Sequence, residues 1–309
     1  MAKYRVLSLD GGGLRGLITV RLLQQLQDQP SIAGWLDQVD LVAGTSTGGI
    51  IALGLAAGKP LEEIGALYHE KGPQIFDDSI WDNVRDIGKI VGADYSSRAL
   101  RNELKGIFGD KKLRNLKRKV AIPAFDLDNE HRKQRKWKPK IFHNFGGKGT
   151  DKSELVARVA LFTASAPTYF PSADGYIDGG VFANNPSMIA LSQAISRKNL
   201  DAERADINEV VLLSVGTGES LKYIRGKRLD WGLAQWAEPL VDILMDGVAG
   251  ISDYQCQQIL EERYHRLQVV FGSKEKIGLD DVKKIPRMDE IGRTHSVTKT
   301  RRWIEQYWM

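Results

Sequence analysis

The 309-residue sequence predicts an α/β fold with a largely parallel sheet. Short apolar, strand-like segments alternate with segments of helical periodicity, which is the pattern of this class. Glycine-rich turns follow several of the strand-like segments. No repeat of solenoid length and no long Pro/Ser linker divides the chain, and 42% hydrophobic with 27% charged residues exclude extensive disorder. We therefore expect residues 1–309 to form one domain.

The first unit is a strand, a glycine turn and a helix. Residues 4–9 are apolar enough for a buried strand, and the motif DGGGLRG occupies residues 10–16. The helix follows over residues 14–27, where Leu17, Leu22 and Leu26 recur at helical spacing.

The second unit repeats this order. Residues 41–43 predict a buried strand, GTSTG occupies residues 44–48, and residues 50–57 predict a helix. Residues 41–58 carry no charge, at the lower limit for a membrane span. The Gly/Thr/Ser cluster favours a strand, a turn and a buried helix over that span.

The remaining elements alternate in the same way. Helices are predicted at 61–68, from a serine cap within 95–100, at 154–165 and at 186–197, and strands at 120–126, 140–145, 176–178 and 209–215.

Ser46 is the candidate nucleophile. It is the central residue of a G-x-S-x-G motif on a predicted strand-to-helix turn, where Gly44 and Gly48 leave room for a strained backbone. The following helix directs its N–H groups and positive dipole towards the serine. On this motif alone, a Gly/Ser-rich loop without a nucleophile is an equal alternative.

The glycine turn at residues 10–16 allows two interpretations. It satisfies G-x-G-x-x-G, a dinucleotide-binding pattern, but the acidic residue expected to close the second strand is missing, since Asp37 and Asp40 precede that strand. Its N–H groups could instead bind the oxyanion of an acyl-transfer intermediate.

Asp178 is the candidate carboxylate. It ends a short predicted strand and opens the sequence Asp-Gly-Gly, which alone is usually a turn. None of the five histidines has a recognisable catalytic setting. A Ser-Asp-His triad with His265 or His295 stays open at this point.

Taken together, these motifs resemble the patatin-like phospholipase family. The matching segments are DGGGLRG at 10–16, GTSTG at 44–48, ASAPTYFP at 164–171, DGG at 178–180 and NNP at 184–186. The resemblance runs from about residue 4 to 215, while residues 221–309 resemble the family only loosely. It implies a patatin-like three-layer α/β/α sandwich, with a catalytic core at about 4–215 and residues 221–309 elaborating the same domain.

The resemblance also implies an activity, a serine lipid acyl hydrolase that cleaves fatty-acyl esters of phospholipids or related lipids through a Ser-Asp dyad. In that family pattern Ser46 is the nucleophile, Asp178 the general base, and an acyl-enzyme forms on the serine. The implied oxyanion loop comprises Gly11, Gly12, Gly13 and Arg15, with amides of Gly12 and Gly13 as donors and the other two shaping the loop. The glycines at 44, 48, 179 and 180 (Gly44, Gly48, Gly179, Gly180) support the motifs. No metal or cofactor is expected.

Two other functions remain compatible with these motifs. An acyltransferase or thioesterase would use the same nucleophile, and a non-catalytic nucleotide- or lipid-binding module would keep the fold without turnover.

A basic segment precedes the predicted strand at 140–145 and suggests a membrane contact. It contains Arg132, Lys133, Arg135, Lys136 and Trp137. Such a cluster can adhere to an anionic membrane, with the tryptophan at the interface. A solvated hairpin tip is the equal alternative. No nucleic-acid partner is expected, because no nucleic-acid motif accompanies the charge.

Charge and cysteine content suggest the location. The net charge is only +5, and the single cysteine, Cys256, leaves no internal disulfide. The four residues between Arg5 and Asp10, Val-Leu-Ser-Leu, are too few for a signal-peptide core. We expect a cytoplasmic protein with peripheral attachment at the inner face of a membrane as an option.

Overall fold

A mostly parallel seven-stranded sheet organises the molecule. The computed structural model describes residues 3–76, 95–221, 223–226, 228–273 and 275–309. Its strands are β1 (Tyr4–Leu9), β2 (Leu41–Gly44), β3 (Lys119–Asp126), β4 (Lys138–His143), β5 (Tyr176–Asp178), β6 (Val210–Val215) and β7 (Tyr264–Leu267). The order is β4-β3-β2-β1-β6-β7, with β5 paired to β3 beside this path. Strands β4 and β5 are antiparallel to β3, and the other pairs are parallel.

Helices cover both faces of this sheet. They are α1 (Gly16–Gln27), α2 (Thr47–Ala56), α3 (Leu61–Ala66), α4 (Gly72–Ile75), α5 (Ser97–Phe108), α6 (Val156–Ala164), α7 (Gly180–Ala183), α8 (Ser187–Ala194), α9 (Leu233–Leu260), α10 (Ile285–Thr294) and α11 (Thr298–Trp303). A π-helix, Leu67–Lys71, connects α3 to α4.

The side chains of β1 show why there are three layers. Leu7 and Leu9 point into a core shared with α1, α2, α5, α6 and α10, whereas Val6 points into a second core shared with α8 and α9. Alternation along a strand sends successive side chains to opposite faces. A sheet buried on both faces between helical layers confirms the predicted α/β/α sandwich.

The edges of β3 position the candidate site. Strand β4 pairs with β3 from Ala121 to Asp126 along one edge. On the other edge, β2 pairs only as far as Ala121, and the antiparallel β5 then places Asp178 opposite Ala124. The ends of β2 and β5 therefore approach each other, which brings the turn after β2 close to Asp178.

Most predicted elements form close to their expected bounds. Ser96 caps α5 by accepting the N–H of Arg98 at 3.3 Å, as the serine-cap prediction required. Strand β4 begins and ends two residues earlier than the strand predicted at 140–145. It runs from Lys138 to His143, because pairing with β3 sets its bounds. None of the helices in the described ranges combines the length and the apolar character that a membrane span requires, and residues 41–58 contain β2 and α2.

Candidate active site

Ser46 occupies a strained turn between β2 and α2. Its φ of 54° and ψ of −124° are rare for a residue other than glycine. The flanking glycines are required sterically: a Cβ on Gly44 would lie 2.0 Å from the carbonyl oxygen of Gly48, and one on Gly48 would lie 2.3 Å from that of Leu9. The turn therefore holds the serine at the start of a helix, in the arrangement that G-x-S-x-G predicts.

Hydrogen bonds from outside the motif hold this turn. The Ser46 N–H donates to Thr163 Oγ1 at 2.9 Å, and the Thr163 hydroxyl donates to the carbonyl of Pro123 at 2.6 Å. The Thr45 hydroxyl donates to the carbonyl of Ala183 at 2.6 Å. The backbone strain at the serine is thus balanced by bonds to β3, α6 and α7.

A tyrosine on the π-helix supports the other side of the turn. Tyr68 is buried, and its hydroxyl lies 2.5 Å from that of Thr47. A π-helix is uncommon and often occurs at functional sites. Here it brings a tyrosine hydroxyl onto the residue that follows Ser46.

Asp178 is buried beside Ser46. The carboxylate accepts the N–H of Gly180 at 2.6 Å. Burial raises the pKa of Asp178 to about 6, and the Ser46 hydroxyl and the Gly180 N–H, which both interact with the carboxylate, oppose that rise. Glycine is needed at the next position, since a Cβ on Gly179 would lie 2.4 Å from the carbonyl oxygen of Pro123.

The glycine loop after β1 runs past this pair. In the described part of the chain, the N–H groups of Gly12 and Gly13 have no backbone acceptor, and both residues line the cavity that contains Ser46. The Gly11 N–H instead donates to the carbonyl of Asn184 at 3.0 Å, so that group shapes the loop. Arg15 curls back, with its Nε 3.5 Å from the carbonyl oxygen of Gly12.

A buried ion pair anchors the start of this loop. Asp10 accepts from both terminal nitrogens of Arg266 on β7, with Nη1 2.9 Å from its Oδ1, and Nη1 also donates to Ser214 at 2.7 Å. The Asp10 side chain is buried, at 4% exposure, and the Arg266 side chain is largely buried, at 16% exposure. Burial raises the pKa of Asp10, although the guanidinium of Arg266 works against this rise. Burial works to lower the pKa of Arg266, but the Asp10 carboxylate raises it.

Ser46 and Asp178 lie on the wall of a cavity of about 590 Å³. Most of the wall is aliphatic or aromatic, from Leu14, Ile50, Leu67, Ile75, Phe76, Leu100, Tyr169, Phe170, Met245 and Leu279. Among the described residues, no group of three or more His, Cys, Asp or Glu side chains could hold a metal ion. The site therefore combines a hydroxyl, a carboxylate and two backbone donors with an apolar chamber.

The sequence of this chain also matches the model of a known protein family. A family model for the patatin-like phospholipases matches residues 7–191, more than half of the chain. The chain belongs to the patatin-like phospholipase family. The matched range contains the glycine loop, the turn around Ser46 and the Asp178 segment, and the match confirms the family that the sequence motifs indicated.

Individual relatives of this patatin-like chain come from bacteria and plants. A cGAMP-activated phospholipase of Pseudomonas aeruginosa is 31% identical over 95% of this chain and 85% of its own length. Patatin-like protein 1 of Oryza sativa subsp. indica is 30% identical, over 81% of this chain and 69% of its own. The solved structure of VipD from Legionella pneumophila is similar at a TM-score of 0.47 and 11% identity, covering 99% of this chain and 67% of VipD.

The histidines of this patatin-like chain lie elsewhere. His265 is on β7, where its Nε2 is 2.9 Å from Thr300 Oγ1 and its ring stacks on Trp303. His295 follows α10. No histidine is among the described residues that line the cavity, so neither candidate for a triad meets Ser46.

Three residues that support the site were not predicted from the sequence. Thr163 and Tyr68 hold the turn around Ser46, and Arg266 holds the glycine loop, but each acts across a large sequence separation. Thr163 directly precedes the family segment at 164–171, which was its only sequence signal. Arg266 lies in the part of the chain that resembles the family least.

Proposed function

We propose that this protein is a serine lipid acyl hydrolase that works through a Ser46–Asp178 dyad. The proposal rests on the strained serine Ser46 and the buried carboxylate of Asp178, whose pKa the serine hydroxyl lowers, lying together on the wall of an apolar cavity of about 590 Å³. The names of its relatives, which include phospholipases, support the substrate class.

The first half-reaction makes an acyl-enzyme. Asp178 takes the proton of Ser46 while Oγ attacks the ester carbonyl carbon. The N–H groups of Gly12 and Gly13 are the donors available to the oxyanion. When the intermediate collapses, the bond to the leaving alcohol breaks, and that oxygen takes the proton from Asp178.

The second half-reaction releases the acid. Water attacks the acyl carbon and gives a proton to Asp178, and Ser46 recovers a proton as its bond to carbon breaks. A carboxylate with its pKa raised to about 6 suits this cycle, since it is a stronger base than an ordinary aspartate and still largely ionised at pH 7.

The chamber supports a fatty-acyl substrate. Its aliphatic and aromatic wall can remove an alkyl chain from water, at about 0.8 kcal/mol for each buried methylene. Among the described residues that line the cavity there is no Lys or Arg to pair with a phosphate, so we place a phospholipid head group outside, towards solvent.

Product analysis tests the proposal. Incubating the protein with mixed lipids should release free fatty acid, detected by mass spectrometry, and Ser46→Ala should abolish the release. A fluorophosphonate probe should label the parent protein and spare that variant. Acyl groups moved to another lipid or alcohol would favour an acyltransferase, and absence of both labelling and turnover would favour a binding module.

We also propose that the β3–β4 loop contacts anionic membranes. Trp137 is 72% exposed, and Arg132, Lys133 and Lys136 are exposed beside it, while Arg135 is paired with Asp128. The loop follows the carboxyl end of β3, and Ser46 follows the carboxyl end of the parallel strand β2. Both therefore lie at the same end of the sheet. A membrane bound there would face the substrate chamber.

Vesicle binding tests this contact. Replacing Arg132, Lys133 and Lys136 by glutamine should weaken binding to anionic vesicles and flatten its salt dependence, because the attraction is screened over about 8 Å at physiological ionic strength. A matched triple variant of Lys112, Arg114 and Lys117, at the opposite end of β3, should bind normally. Hydrolysis of a small water-soluble ester should be unchanged in both. Equal loss on that ester and on vesicles would contradict the membrane role.

A further inference from the structure

Asn184 presents a buried acceptor at the cavity that has no donor within the described residues. The residue lies between α7 and α8 and lines the cavity with Ser46 and Asp178. Its Oδ1 is buried without a hydrogen-bond partner. Leaving a buried acceptor without a donor costs about 1–3 kcal/mol of stability, so an acceptor of this kind calls for an explanation such as a role in binding or catalysis.

This oxygen lies beside both members of the dyad. A Cβ built on Gly11 would be 2.3 Å from Asn184 Oδ1 and 3.3 Å from Ser46 Cβ. One built on Gly180 would be 3.5 Å from Asn184 Oδ1 and 3.1 Å from Asp178 Oδ1. The amide oxygen and the carboxylate oxygen therefore flank the same point above Gly180.

The side chain of Asn184 is separable from its backbone role. Its carbonyl oxygen accepts the N–H of Gly11, a bond that any residue could make. The neighbouring Asn185 uses its side chain structurally, since its Oδ1 accepts both the N–H and the hydroxyl of Ser187. The chain thus offers two adjacent asparagines, only one of which has its Oδ1 occupied.

We propose that Asn184 positions the hydrolytic water for deacylation, an inference that rests on the proposed hydrolase function. One O–H of the water donates to Asp178 and the other to Asn184 Oδ1, which directs the oxygen at the acyl carbon on Ser46. The new C–O bond forms as the first proton passes to Asp178. The C–Oγ bond then breaks, and Ser46 recovers that proton.

Two acceptors also discriminate between water and an alcohol. Water has two O–H groups and can satisfy both Asp178 and Asn184, whereas an alcohol has one and leaves an acceptor unpaired. Unpaired buried groups are the strongest source of such discrimination. Asn184 thereby favours hydrolysis over acyl transfer.

Pre-steady-state kinetics with a chromogenic ester separate the two steps. Quenched-flow samples analysed by intact-protein mass spectrometry give the rates at which acyl-Ser46 forms and decays. Asn184→Ala should form it at the parental rate and lose it about tenfold to a hundredfold more slowly. Added alcohol should then divert a larger share of acyl groups to transfer. Asn185→Ala should lower thermal stability without changing the ratio of the two rates.

Four outcomes are informative. Decay at the parental rate in Asn184→Ala would overturn it, and so would equal losses in formation and decay, which would place the amide on the oxyanion. Asn184→Asp keeps an acceptor and should decay faster than Asn184→Ala, with its pH midpoint moved up because a second carboxylate raises the pKa of Asp178. If the parent forms no acyl-Ser46 at all, the proposed function itself fails.

Discussion

At the scale of single residues, burial is what makes Asp178 useful. An exposed aspartate loses its proton near pH 4, but desolvation raises the pKa of Asp178 to about 6. As the proposed base, it must be ionised, so kcat/KM should rise with pH and level off above about 7. A pH profile on a small ester measures this directly, and a midpoint near 4 would contradict it.

The same pKa predicts how Asp178 affects stability. The unfolded chain releases this proton near pH 4 and the folded protein near pH 6, so the free energy of unfolding falls as pH rises between these values. Asp178→Asn removes the buried charge and should stabilise the protein at pH 8 by up to about 3 kcal/mol, while abolishing hydrolysis. Urea denaturation at pH 4 and pH 8 checks this, with the exposed Asp110→Asn as control. A less stable Asn variant at pH 8 would contradict the sign.

Some features of single residues could be predicted from the sequence, and others could not. The strained position of Ser46 could be predicted, because its glycine neighbours at 44 and 48 are local. Thr163, whose hydroxyl accepts the Ser46 N–H, lies 117 residues away, and no local pattern distinguishes it from other helical threonines. Asn184 was found only as part of a family segment, and its unpaired oxygen becomes visible only in three dimensions.

At the scale of elements, the glycine loop needs room for its backbone. Gly13 has a φ of 57°, and a Cβ there would lie 2.2 Å from the carbonyl oxygen of Leu279. Gly13→Ala should therefore lower the melting temperature as well as turnover, since the left-handed conformation alone costs about 1–2 kcal/mol. In contrast, Gly106→Ala within α5, where nothing lies within 4 Å, should raise stability by about 1 kcal/mol. Equal stability of the Gly13 variant and the parent would refute this account of the loop.

Elements with strong periodicity were predictable, and short ones were not. α1 and β6 follow their apolar patterns, whereas α7, only four residues long, has no measurable period. The ends of β4 depended on pairing with β3 over Ala121 to Asp126, which the sequence of β4 alone does not encode. Pairing partners, not intrinsic preference, set such boundaries.

At the scale of the whole molecule, the last third of the chain stabilises the glycine loop of the site. β7 pairs in parallel with β6, and its Arg266 crosses to the buried Asp10 at the start of the glycine loop. We propose that residues 1–309 form one domain for this reason. The contact joins residues 256 apart in sequence, so the motifs in the first 215 residues gave no indication of it.

Breaking this pair tests the coupling. Arg266→Met leaves the Asp10 carboxylate buried without its partner and should destabilise the protein by about 3–5 kcal/mol. The double variant Asp10→Asn, Arg266→Met removes both charges and should recover much of that loss. Denaturation in urea compares the two. A single variant as stable as the double would mean that the pair does not couple the two parts.

In the proposed mechanism, Ser46, with Asp178 as its base, carries the acyl group of a lipid ester. Peptide mapping by mass spectrometry of protein quenched during turnover of a phospholipid tests it most directly. We predict a fatty-acyl adduct on the peptide that contains Ser46, with free fatty acid released in parallel, and neither product in Ser46→Ala or Asp178→Asn. An adduct on another residue, or fatty-acid release that persists in Ser46→Ala, would contradict this mechanism.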